Sequence, residues 1–124
     1  MEARAGEILP RGLAPDLMLI RLGNDHFGSF AQAIDGVNIP ETQMADDDYA
    51  LGLVIEAVAN SPFARDTLVI SIEDDACDGP DHVDAHRFIA LFAGAGVRQN
   101  ALVSARYTTV NVVKTIEAIL GLTR

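Results

Sequence analysis

A chain of 124 residues with 49% apolar content is long enough for one domain with its own core and too hydrophobic to stay disordered. Eighteen acidic residues against nine basic ones give a formal net charge of −9. That balance argues against nucleic acid and anionic membrane surfaces as partners, because both are held through clustered Lys and Arg.

In chain order, residues 1–15 read as a flexible lead-in closed by Pro15, and 16–124 as a single α/β domain. The lead-in MEARAGEILPRG has no long apolar core, so it does not read as a signal peptide, and no later run approaches the roughly 20 apolar residues of a membrane span. A cytoplasmic location is the default expectation. Leu17–Leu22, LMLIRL, is an apolar run of strand length that ends at Gly23-Asn24, too early for a helix. Residues 27–45 read as a long loop broken by Gly28, Gly36 and Pro40, and loops of that length often carry function. Over Asp46–Asn60, Leu51, Val54, Ile55 and Val58 share one helical face, with three leading aspartates favouring the positive end of the helix dipole. Those aspartates are assigned no chemistry. Ser61-Pro62 closes this helix. Thr67–Ile72 is a β-branched run expected to be a buried strand, completing a strand–helix–strand unit with a right-handed crossover.

Phe88–Ala93 predicts a third strand ended by Gly94-Ala95-Gly96, and Leu102–Ala105 a brief fourth. The glycines are no phosphate loop, because no Lys-Ser/Thr pair opens a helix behind them. Thr108 or Thr109 should cap a last helix with Val112, Val113, Ile116, Ile119 and Leu120 as its inner stripe and Gly121 as its stop.

The segment IEDDACDGPDHVDAHR concentrates the chemistry. Six carboxylates (Glu73, Asp74, Asp75, Asp78, Asp81, Asp84) and two imidazoles (His82, His86) fall within fourteen positions directly after a strand. Such groups repel one another unless a cation lies among them, and carboxylate with imidazole suits zinc, manganese or non-haem iron. The carboxyl end of a strand in an open α/β sheet is also where ligands sit. Against this stands the plainer reading of a solvated acidic loop. Asn24-Asp25-His26 repeats the arrangement after LMLIRL, and two strand-end clusters say more than one. The acidic neighbours of Cys77, the sole cysteine, disfavour its thiolate as a nucleophile.

PDLMLIRLGNDHFG, ETQMADDDYALGLVIEAVANSPFARDTLVISIEDDACDGPDHVDAHR and ARYTTVNVVKTIEAILGL together resemble the C-terminal part of bacterial phosphoesterases of the alkaline phosphatase superfamily, in its phospholipase C and acid phosphatase branch. The resemblance runs from Pro15 onward and is most specific in IEDDACDGPDHVDAHR. It implies a partial alkaline phosphatase-like fold, an α/β three-layer arrangement with a mostly parallel sheet of three to four strands flanked by helices. It further implies divalent metal, with Asp25 and the Asp74-Asp75 pair as ligands and His86 and His82 as candidates to complete the site. Together with His26 of the first strand-end cluster, the expected ligands of a zinc or manganese ion are Asp25, His26, Asp74, Asp75, His82 and His86. Full-length relatives of this kind are in part exported.

The sequence departs from that pattern in three places. Where many members have a histidine four residues after the first aspartate, Ser29 stands here and His26 is adjacent to Asp25 instead. Tyr107-Thr108-Thr109 replaces a common histidine before the last helix. The nucleophile and the first metal-binding strand belong to an N-terminal half, and Ser29 and Ser71 are poor substitutes. The catalytic residue is therefore unassigned. The resulting expectation is a metal-dependent phosphoester hydrolase-like domain, either a fragment of such an enzyme or a half completed by a second copy or a complementing N-terminal half, with a non-catalytic metal-binding module and a plain α/β domain as alternatives.

Overall fold

A computed structural model describes residues 14–23, 37, 39–73 and 87–122. The described chain is mixed α/β: helix α1 (Pro40–Ala59), strand β1 (Leu68–Ile72), strand β2 (Ala90–Gly94) and helix α2 (Thr109–Ile119). It divides into two compact units, one carrying α1, β1 and β2 and the other α2.

α1 begins six residues before the predicted Asp46, inside the stretch read as loop. Pro40 starts this helix instead of breaking it. At the first helical position its missing N–H would have had no partner, and its fixed φ already suits the helix. Ile39 offers no side-chain acceptor, so Thr42 closes the entry. Its Oγ1 accepts the Ile39 N–H at 3.2 Å and donates to the Ile39 carbonyl at 2.9 Å. Leu51, Val54, Ile55 and Val58 are half-buried as the spacing predicts, and the same face continues back through Ala50 and Asp47 to Gln43. The helix ends at Ala59, where Asn60 donates to the Glu56 carbonyl through its backbone N–H and its Nδ2, both at 3.0 Å. Ser61 then bonds back to the Val58 carbonyl at 2.7 Å, and Thr67 Oγ1 to the Phe63 carbonyl at 2.8 Å. This chain of local bonds delivers the backbone directly into β1.

β1 and β2 pair antiparallel, with Leu68 opposite Gly94, Ile70 opposite Phe92 and Ile72 opposite Ala90. The expected parallel arrangement is not what these two strands adopt. A continuous apolar run marks a strand meant to be covered on both faces, which is usual in parallel sheets but does not by itself fix strand direction. Side-chain alternation puts Leu68, Ile70, Ile72, Phe92 and Ala90 on one face and Val69, Ser71, Leu91 and Ala93 on the other. Both faces are thus apolar.

LMLIRL is not a strand. Leu17–Leu22 has no regular secondary structure, and Leu19 is 95% exposed. Strand propensity is realised only against a neighbouring strand, and no described strand pairs with this run. The predicted strand–helix–strand crossover therefore lacks its first strand among the described residues. Leu102–Ala105 likewise forms no strand, with Leu102 94% exposed.

In the second unit, Thr108 caps α2 with extended backbone, and Asn111 Oδ1 accepts from its N–H at 2.9 Å and its hydroxyl at 3.0 Å. Val112, Ile116 and Leu120 are half-buried, whereas Val113 and Ile119, expected in the same stripe, are exposed. The helix stops as predicted at Gly121. Its φ of +69° lets the Gly121 N–H reach the Ala118 carbonyl and the Leu122 N–H reach the Glu117 carbonyl, at 3.2 and 2.9 Å.

Among the described residues no hydrophobic side chain is fully buried, and the exposed ones include Met44, Tyr49, Leu53, Ile89, Leu91, Phe92 and Tyr107. Gly94 holds the sheet's closing corner at φ +116°, where a Cβ would run into the Thr67 carbonyl oxygen. Three alanine substitutions should therefore order themselves by backbone alone. Gly94→Ala should cost about 2–3 kcal/mol, Gly121→Ala about 1 kcal/mol, and Gly52→Ala, in the open interior of α1, should gain about 0.5–1 kcal/mol. Urea midpoints of the three variants test the order, and a stable Gly94→Ala protein would disprove the corner.

Candidate functional site

The acidic segment is bracketed by the end of β1 and the start of β2. Ile72 and Ala90 are ladder partners, so the chain leaves the sheet at Glu73 and returns through Ile89 at the same end. Neighbouring strands lie about 4.8 Å apart, so the two anchors of the segment are held within roughly one strand spacing. The sequence between these anchors holds five further aspartates and two histidines. Coulomb repulsion between unit charges 4 Å apart is about 1 kcal/mol in water and rises as solvent is excluded. Either solvent or a cation must take up that charge.

Asp74, Asp75, His82 and His86 lie outside the described residues, as do Asp25 and His26 of the first cluster, and with them Ser29 and Cys77. Glu73 is described, half-buried and already engaged in an interaction, and Arg87, where the chain comes back, is exposed and likewise engaged. Among the described residues no group of three or more His, Cys, Asp or Glu side chains is placed to hold a metal. Ser71, one of the two weak hydroxyl candidates, sits in mid-strand opposite Leu91. Within the ladder its neighbours on that face are Val69, Leu91 and Ala93, none of which offers a base or a charge to activate it. Among the described residues no helix is long and apolar enough to cross a membrane.

The polar end of α1 differs from its reading as dipole compensation. With the helix starting at Pro40, Glu41 is the first-turn acid, and Asp46–Asp48 lie in the second and third turns. Dipole stabilisation fades beyond the first turn, so it does not account for them. Asp48 points to solvent, while Asp46 and Asp47 are half-buried and each makes a polar interaction. Gln43 lies one turn before Asp47 on the inner face and is only 4% exposed. Its Oε1 is enclosed with no hydrogen-bond partner. The 43–47–51–54–58 spacing carried the signal for this inner polar pair, hidden by placing the helix start too late.

Comparison of the chain with protein-family models, with curated proteins and with solved structures gives no match. The likeness to phosphoesterases thus rests on the quoted residues alone.

An enclosed carbonyl oxygen without a donor costs about 1–3 kcal/mol. Gln43→Met keeps the length and helix propensity of the side chain and removes that oxygen. It should raise unfolding stability by about 1 kcal/mol in urea titrations. A loss of similar size would show that the carboxamide is bonded in solution.

Proposed function

We propose that this chain is a metal-dependent phosphoester hydrolase-like domain, a partner-completed half that carries metal ligands and lacks the usual nucleophile. The observation that supports it most directly is the placement of the acidic segment. β1 ends at Ile72, and Asp74 follows two positions later, with the return anchored beside it at Ala90. Carboxylate oxygens and imidazole nitrogens in one stretch of sequence form a donor set that fits zinc or manganese. Asp74 and Asp75 would be the principal ligands, with Asp25, His26, His82 and His86 contributing. In this reading β1 and β2 are the antiparallel margin of a larger, mostly parallel, three-layer sheet, a combination common in mixed sheets. Strands that are apolar on both faces call for such covering. A second copy of the chain or a complementing N-terminal half would supply it, and a phosphate ester would be the substrate of the completed site.

Binding should be visible as stabilisation, because a cation relieves the carboxylate repulsion only in the folded chain. At a hundredfold excess over Kd the gain is about 2.7 kcal/mol. Thermal melts with zinc and with manganese should therefore shift upward and return to baseline in Asp74→Asn. Identical melting temperatures in all these samples would leave only a solvated acidic loop.

Turnover by the isolated chain should be slow or absent. Two-metal phosphoester hydrolysis activates a nucleophile on one side and stabilises the leaving oxygen on the other. Loss of one electrostatic stabiliser of that kind costs roughly a hundred- to a thousandfold in rate. Release of nitrophenol from mono- and diester substrates with added zinc, manganese or calcium measures this. Robust activity that vanishes in Asp74→Asn would mean the short chain is a working enzyme.

A further inference from the structure

No further inference is drawn: the strongest candidate, the β1–β2 pair with Leu91 and Phe92 exposed on opposite apolar faces, carries nothing beyond the reading above, because nothing in the structure shows what covers it.

Discussion

The β1–β2 ladder is the constraint on which the first unit depends. It is the one strand pairing among the described elements, and it fixes where the acidic segment leaves and re-enters the sheet. A two-stranded sheet alone is marginal in water. Its register is ordinarily protected by pattern, since a slip of one residue turns the core face out to solvent. Here that protection is weak, because both faces are apolar. The closing corner substitutes for it: the Thr67 carbonyl accepts from Ala95 N–H at 3.1 Å, and only a residue without a Cβ fits beside it at Gly94. One backbone contact therefore helps set the alignment of the two strand ends that anchor the acidic segment.

Local signals translated well and long-range ones did not. Thr67–Ile72 and Phe88–Ala93 were legible as strands within one or two residues, because β-branched and aromatic residues between turn formers suit a pleated ribbon. Thr108 and Gly121 marked both ends of α2, since each acts through bonds to its own helix. Pro40 misled, because the same locked φ that breaks a helix interior favours a first turn. LMLIRL misled for a different reason: its pattern states a preference whose fulfilment depends on a neighbouring strand. Strand direction was illegible for the same cause. As for the candidate site, sequence supplied its residue types and their position after β1, while Gln43 and Asp47 needed the true helix start to be seen on one face.

Taken together, the two helices are secured by bonds within a few residues of sequence, while their apolar surfaces and those of the sheet are covered only in part. Secondary structure of this kind normally owes most of its stability to packing. The contrast between well-formed ends and partly covered faces is what the partner-completed reading would produce. It also separates two contributions to the acidic segment: the ladder holds its anchors, and whatever covers the sheet would govern how much solvent reaches its charges.

Exposed Leu19, Leu91, Phe92 and Leu102 have a consequence for how the chain behaves as a colloid. At neutral pH a formal charge of −9 sets a mutual repulsion between copies against the attraction of their apolar surfaces. Acidification toward the isoelectric point near 4.5 removes that barrier and leaves the hydrophobic attraction in place. Added salt weakens it too, by shortening the Debye length to about 3 Å at 1 M. Dispersal of this molecule is therefore a property of its ionisation and its buffer as much as of its fold.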